Sequence, residues 1–91
     1  MRVVRWRVSA RAQLRSLLDY ISDRNEAAAD RLEASFEERI ARLGESPAIG
    51  RPGRIKDTRE FILHPNYIAI YQVTDTEVTI IRVLHTSRRY P

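Results

Sequence analysis

The chain contains no cysteine, so neither a disulfide nor a thiolate metal site can stabilise it. It has two histidines and no clustered carboxylates, which is a poor set of metal ligands, and we expect no metal and no other cofactor. No uncharged apolar run approaches the roughly 20 residues of a membrane span. The N-terminal segment carries Arg2, Arg5 and Arg7 where a signal peptide would be apolar. These absences predict an unexported, cytoplasmic protein without a membrane partner.

The length of 91 residues predicts one domain, residues 1–91. Residues 9–46 carry six arginines and eight acidic residues, whereas the remainder carries ten basic and four acidic residues. Fifteen of the sixteen basic residues are arginine, whose planar fork binds phosphate and carboxylate. The excess of positive charge therefore predicts a partner that is either nucleic acid or an acidic protein.

Hydrophobic periodicity predicts a strand followed by two helices. Residues 2–8 alternate between apolar and basic side chains, which is typical of a half-buried strand. Ser9 is the expected N-cap of a helix that reaches about Asp23. Asn25 is the expected start of a second helix, and Gly44 is its expected C-cap. Because only a few residues separate the helices, they are predicted to form an antiparallel hairpin.

Three further strands are predicted after a loop at residues 45–57. They span residues 59–64, 67–73 and 78–85, and the short turns between them favour an antiparallel meander. The first strand of the chain is expected at a sheet edge or beside the last strand. The predicted fold class is α+β, in the order β-α-α-β-β-β, with the helical hairpin packed on one face of a twisted, mainly antiparallel sheet. The opposite face is expected to be open and basic.

Several short patterns carry a resemblance that runs over nearly the whole chain. They are Leu43-Gly44-Glu45-Ser46-Pro47, then Gly50-Arg51, then Thr58-Arg59-Glu60, then Tyr67-Ile68-Ala69-Ile70-Tyr71, then Ile81-Arg82-Val83-Leu84-His85, and finally Arg88-Arg89-Tyr90-Pro91. In their order and spacing, and with the predicted order of elements, they resemble the toxins of type II toxin–antitoxin systems in the RelE/ParE superfamily. The resemblance implies the toxin fold of that superfamily. It also implies a cognate antitoxin whose C-terminal segment wraps the toxin in a hetero-oligomer.

The superfamily contains two mechanisms, and the resemblance implies both as alternatives. RelE-like members enter the ribosomal A site and cut mRNA, so that their partners are the ribosome and mRNA. ParE-like members inhibit DNA gyrase and do not cut RNA. We therefore expect a growth-inhibiting toxin, with ribosome-dependent mRNA cleavage by a metal-independent endoribonuclease as the first hypothesis and non-enzymatic inhibition of gyrase as the alternative.

Metal-free RNA cleavage needs a general base, a general acid and cations around the phosphate. His85 has a suitable unperturbed pKa for acid or base work. Arg59 and Arg82 are candidates to clamp the phosphate, and Tyr90 is a candidate to stack on a base or donate a proton. These four catalytic candidates are predicted to converge over one end of the sheet. Even-numbered residues of the last strand should share a face, which would point Arg82 and His85 oppositely unless the strand twists or ends before His85.

A second set of residues is predicted to bind RNA through its positive charge. It comprises Arg51, Arg54, Lys56, Arg88 and Arg89.

Each of the four catalytic candidates also has a structural interpretation. His85 could be a hydrogen-bonding residue, Arg59 and Arg82 could be ion-pair partners of Glu60 or Glu77, and Tyr90 could anchor the chain end.

Two surfaces are candidates for the antitoxin. The outer helix faces carry small residues at 27–29 and at Ala34, which would suit an antitoxin helix. The basic sheet face would attract an acidic antitoxin tail.

Overall fold

The computed structural model describes residues 1–88 and 90. The protein is built on a five-stranded sheet. The strands are β1 (Val3–Trp6), β2 (Arg51–Pro52), β3 (Arg59–His64), β4 (Tyr67–Val73) and β5 (Glu77–His85). Their order across the sheet is β1-β5-β4-β3-β2. β1 lies parallel to β5 at the edge, and the other neighbours are antiparallel. This sheet confirms the predicted fold class and the predicted place of the first strand, while β2 is a short strand within the predicted loop.

Two helices, α1 (Val8–Ser22) and α2 (Glu26–Glu45), pack on one face of the sheet. We call this the helix face, and its main core is formed by side chains of the helices and of alternate strand positions, among them Leu14, Leu18, Phe36, Ile40, Leu43, Phe61, Tyr71, Val78 and Ile80. The opposite side is the open face, where a smaller cluster consists of Ile68, Ile70, Leu84 and Tyr90. Within the described part of the chain, no helix has the length and apolar character needed to cross a bilayer.

The helix starts show one correct and one wrong prediction. Asn25 caps α2 as expected, since its side-chain oxygen accepts a hydrogen bond from the Ala28 amide at 3.0 Å. Ser9 does not cap α1, because that helix already begins at Val8. The preceding residue, Arg7, still donates its backbone amide to Ile80 on β5 at 3.0 Å. The chain therefore passes from sheet pairing into the helix with no residue left for a separate cap.

Gly44 does not end α2, and its predicted role as a C-cap is wrong. The helix continues to Glu45, and Gly44 is buried within its last turn. Its carbonyl accepts a hydrogen bond from the Arg2 amide at 2.8 Å. A Cβ at this position would lie 2.6 Å from the Arg2 carbonyl oxygen. Glycine is needed here because the segment leading into β1 crosses the helix backbone at close range.

A β-bulge in β5 changes which residues face which side of the sheet. Ile80 pairs with Tyr71 on the helix face, whereas Arg82 pairs with Ile70 on the open face, so Ile81 is the extra residue. A bulge of this kind reverses the alternation of side chains beyond it. The prediction that even-numbered residues share one face throughout the strand is therefore wrong, and the bulge is what delivers Arg82 to the open face.

Candidate functional site

The open face carries a buried carboxylate held by two arginines of the preceding loop. Glu60 is only 3% exposed. β2 pairs Arg51 directly opposite Glu60, and the Arg51 Nε donates to Glu60 Oε1 at 2.9 Å. Arg54 lies on the other side, with its Nε 3.8 Å from Oε2. We call Arg51, Arg54 and Glu60 the Glu60 cluster. The buried negative charge fixes two guanidinium groups, both more than half exposed, at one place on the surface.

Tyr90 joins this cluster from the end of the chain. The guanidinium carbon of Arg54 lies 4.8 Å from the centroid of the Tyr90 ring, a cation–π arrangement. The ring is buried against Ile68, Ile70 and Leu84. Within residues 1–88 and 90, the Tyr90 hydroxyl and the Glu60 Oε2 are buried atoms without a hydrogen-bond partner. Two polar atoms on the same face therefore retain unused hydrogen-bonding capacity.

Arg82 belongs to the same face. Glu60 pairs with Ile70, and Ile70 pairs with Arg82, so the three residues form a row across β3, β4 and β5. The predicted ion pair of Arg82 with Glu60 or Glu77 does not form among the described residues. Glu60 is engaged by Arg51 and Arg54, and Glu77 is engaged by an arginine of β1.

Arg59 lies on the helix face and stabilises the turn that leads into β2. It pairs with Tyr71 across β3 and β4, and its Nη1 donates to the Gly50 carbonyl at 2.6 Å. The Tyr71 hydroxyl donates to the Pro47 carbonyl at 2.7 Å and accepts from the Gly50 amide at 3.0 Å. Burial raises the pKa of the Tyr71 phenol, although the Gly50 amide and the charge of Arg59 act in the opposite direction. The contacts made by Arg59 are those of a structural residue.

His85 also lies away from the Glu60 cluster. It pairs with Tyr67, whose ring packs on the helix face at an edge-to-face distance of 5.4 Å from His85. The His85 Nδ1 accepts a hydrogen bond from the Ser87 amide at 3.1 Å. His64 uses its Nδ1 in the same way toward the Asn66 amide at 3.0 Å. Both histidines thus hold a turn at the same end of the sheet.

The predicted convergence of Arg59, Arg82, His85 and Tyr90 over one end of the sheet is wrong. Arg82 and His85 project from opposite faces of β5, and Arg59 donates to the Gly50 carbonyl on the helix face. Arg82 and His85 differ in alternation along β5, and the bulge at Ile81 sets which face each of them takes. Arg59 shares the helix face with His85 but lies at the other end of the sheet, since it pairs with Tyr71 whereas His85 pairs with Tyr67. Their individual roles in catalysis stay predictions.

The predicted RNA-binding residues do not lie together on one surface. Arg51 and Arg54 belong to the Glu60 cluster, and Lys56 is exposed on the loop between β2 and β3. Arg88 is exposed near His85, to whose carbonyl its amide donates at 2.9 Å. Arg89 lies outside the described residues. Among those that are described, no three His, Asp or Glu side chains gather as metal ligands would.

Glu60 and Tyr71 are the site residues that the sequence analysis did not assign. Glu60 had a detectable signal, since it is a carboxylate inside an apolar strand that follows an arginine-bearing loop. Tyr71 had none, because its hydroxyl is bonded to backbone groups of residues 47 and 50, which no side-chain pattern reveals.

Comparisons with known proteins give a consistent result. Residues 4–90 match the family described as the ParE toxin of type II toxin–antitoxin systems. The chain is 37% identical over 89 residues to "Putative toxin Y4kP" of Sinorhizobium fredii, covering 97% of this chain and 92% of that protein. It is 33% identical over 88 residues to toxin RelE2 of Caulobacter vibrioides, covering 97% and 99%.

Solved structures agree on the fold. A chain of the chromosomal ParDE system from P. aeruginosa superposes with a TM-score of 0.83 at 20% identity, covering 93% of this chain and 96% of that one. The toxin–antitoxin complex RelBE2 from Mycobacterium tuberculosis gives 0.66 at 26% identity, covering 92% and 96%.

Proposed function

Because this chain belongs to the ParE toxin family of type II toxin–antitoxin systems, we propose that it arrests growth by docking onto DNA gyrase and not by cutting mRNA. Its cognate antitoxin neutralises it in a hetero-oligomeric complex. The chain is a toxin of the RelE/ParE superfamily, and the proposal concerns only the target and the mode of action.

The separation of Arg82 from His85 is the observation that supports docking most directly. A general acid or base must lie within hydrogen-bonding reach of the atom that it serves, about 2.6–3.2 Å away. His85 projects from the helix face, where its Nδ1 already accepts the Ser87 amide, while Arg82 projects from the open face. One phosphate on the open face could contact Arg82, but it would have no histidine beside it.

The open face has the features of a protein-binding surface. Arginine is among the side chains that most often dominate binding energy at interfaces, and here Arg54 stacks on the Tyr90 ring, which belongs to a small buried apolar cluster. Glu60 limits the freedom of Arg51 and Arg54, so that less conformational entropy is lost when a partner binds them. Arg82 adds a third cation on the same face. Such a surface suits an acidic region of a protein target.

Cleavage of mRNA on the ribosome is the second candidate function, and one observation favours it. Arg54, Arg82 and Tyr90 share the open face, so cations and a phenol lie on one surface. In this alternative, Arg54 and Arg82 would bind the phosphate, and Tyr90 would supply the proton without help from His85. The buried Tyr90 hydroxyl would first have to become accessible.

Purified toxin and inducible expression in a bacterial host distinguish the two functions. We expect the toxin to inhibit DNA supercoiling by gyrase in vitro, and we expect transcripts to stay intact in cells while DNA damage signalling rises. His85→Ala should retain full toxicity, as should the matched variant His64→Ala, provided that circular dichroism shows both to be folded. Arg82→Ala should reduce inhibition of gyrase.

Two outcomes would contradict docking to gyrase. One is the appearance of cut transcripts before any change in supercoiling, together with loss of cutting in Tyr90→Phe, which would assign mRNA cleavage on the open face. The other is loss of toxicity in folded His85→Ala but not in His64→Ala, which would give His85 a functional role.

A further inference from the structure

Each outer strand of the sheet is shorter than its neighbour, and a helix side chain holds a backbone group where the outer strand ends. β1 is shorter than β5, and beyond its end the Val83 amide donates to the side-chain oxygen of Gln13 on α1 at 2.9 Å. β2 has only two residues, and beyond its end the Ile62 carbonyl of β3 accepts from Arg39 on α2. Each side chain thus takes the place of a missing neighbouring strand.

Arg39 is bound to the Ile62 carbonyl by two hydrogen bonds. Its Nε donates at 3.2 Å and its Nη2 donates at 2.9 Å. Its guanidinium carbon also lies 5.1 Å from the centroid of the Phe61 ring, so the group packs on the strand that it contacts. The Thr58 carbonyl accepts from the Gly53 amide on the side of β2, and strand alternation directs the Ile62 carbonyl to the same side. Arg39 therefore occupies an acceptor that a further strand would use.

The outer edge of β3 next to this contact is apolar and accessible. We call the side of residues 61–64 that faces away from β4 the β3 edge. Ile62 is 45% exposed, and Ile49, in the turn before β2, is 49% exposed. Both line a hollow of about 240 Å³ together with Arg39 and Phe61. An exposed strand edge is a template for pairing with another chain, and a charged side chain on the edge is a usual protection against such pairing.

We propose that Arg39 keeps the β3 edge closed, and that two copies of the toxin join through this edge when Arg39 is removed. A second copy is the occupant that fits, because antiparallel pairing of two identical edges is self-complementary. Each copy would offer the same carbonyl and the same two exposed isoleucines, Ile49 and Ile62. β2 and a register shift between Ile62 and His64 restrict the pairing to a few residues, so one arginine on each copy is enough to prevent it.

The guard can be removed without changing a core residue. Arg39→Ala deletes both hydrogen bonds to Ile62. Arg42→Ala is the matched control, because Arg42 is exposed on the same helix and its ion pair with Glu38 lies within that helix. Both variants lose one positive charge. Arg39→Lys keeps the charge but replaces the planar fork by a single ammonium group.

A further variant tests where two copies meet. Ile62→Lys, added to Arg39→Ala, places a charge on the β3 edge itself and should prevent pairing there. Ile62 is exposed, so this change also leaves the main core intact. Circular dichroism of every variant shows whether it is folded, and Arg39→Lys decides the question should Arg39→Ala be unfolded.

Sedimentation equilibrium of the purified free toxins, over a range of concentrations, measures the association constant for dimer formation. We expect Arg39→Ala to raise this constant by about tenfold or more, because a bond between Arg39 and the strand no longer has to be broken on either copy. Arg42→Ala should behave as the wild-type toxin does, and Arg39→Lys should lie between the two. The double variant Arg39→Ala with Ile62→Lys should return to the monomer.

A folded Arg39→Ala that stays as monomeric as the wild-type toxin would overturn the proposal. So would equal association of Arg42→Ala, a dimer that persists after Ile62→Lys is added, or a wild-type dimer that Ile62→Lys dissociates. Tighter binding of the antitoxin by Arg39→Ala than by Arg42→Ala, without self-association, would assign the β3 edge to the antitoxin instead. None of these measurements involves gyrase or RNA, so failure of the proposed target would leave them unchanged.

Discussion

The Tyr71 hydroxyl accepts a hydrogen bond from the Gly50 amide at 3.0 Å while it donates to the Pro47 carbonyl at 2.7 Å. A side chain from β4 in the middle of the sheet thus holds both ends of the short turn that precedes β2. A Cβ on Gly50 would lie 2.6 Å from the Tyr71 hydroxyl, so only glycine admits this contact. Because β2 follows directly, the position of Arg51 opposite Glu60 depends on it.

Removal of the Tyr71 hydroxyl should therefore destabilise the protein. Tyr71→Phe leaves a buried amide and a backbone carbonyl without their partner, which costs about 1–3 kcal/mol in the free energy of unfolding. Urea denaturation followed by circular dichroism measures this loss. Tyr20→Phe is the control, because Tyr20 is 60% exposed, and it should change stability by less than about 0.5 kcal/mol. Equal stability of the two variants would show that the turn does not need the phenol.

The raised pKa of Tyr71 predicts a loss of stability at alkaline pH. Burial favours the neutral phenol in the folded state, so the folded pKa lies above the unfolded value of about 10. The contribution of the neutral Tyr71 phenol to the free energy of unfolding is complete below the unfolded pKa and is lost as pH rises through the folded pKa. The free energy of unfolding of the wild-type protein should fall more steeply above about pH 10 than that of Tyr71→Phe. Parallel curves for the two proteins would contradict this assignment.

The two arginines of the Glu60 cluster should contribute unequally to stability. Arg51 makes a hydrogen bond of 2.9 Å to the buried carboxylate, whereas Arg54 approaches it only to 3.8 Å. A hydrogen bond to a charged group contributes about 1.5–3 kcal/mol. Arg51→Ala should therefore destabilise the fold by roughly that amount, and Arg54→Ala by less. A double-mutant cycle with Glu60→Gln isolates the interaction energy of each arginine with Glu60. A larger interaction energy for Arg54 than for Arg51 would contradict this prediction.

Gly44 should be intolerant of a side chain although it lies inside a helix. Alanine is normally favoured over glycine in a helix by about 1 kcal/mol. At Gly44, however, the added Cβ would lie 2.6 Å from the backbone oxygen of Arg2. We expect Gly44→Ala to lower the melting temperature, whereas Ser35→Ala, at an exposed position of the same helix, should leave it unchanged or raise it. Stabilisation by Gly44→Ala would show that the approach of the two segments is not constrained.

Local patterns were sufficient for most of the secondary structure. The predicted strands at 59–64 and 67–73 have the bounds observed for β3 and β4, and β5 begins one residue earlier than predicted. These strands alternate in polarity and are separated by short turns, so their limits depend on neighbouring residues alone. The cap at Asn25 was predictable for the same reason, because it involves residues three positions apart.

The candidate site was predictable only in its residue types. That arginines would gather on an open sheet face followed from the charge distribution, and Arg51, Arg54 and Arg82 do lie there. Their arrangement around Glu60 did not follow, because it depends on β2 pairing with β3. The separation of Arg82 from His85 followed from alternation, but the face assigned to each depended on the bulge at Ile81.

The order of helices and strands, the excess of arginine outside the helical hairpin and the resemblance to a family of toxins were all evident from the amino-acid sequence. These properties depend on residues that are close to one another along the chain. The folded chain was needed to show that Gly44 serves a close backbone crossing, that Tyr71 holds the turn before β2 and that Arg82, rather than His85, lies on the open face. Each of these depends on contacts between residues about 20 or more positions apart or on the register of paired strands, and neither is encoded in a local pattern.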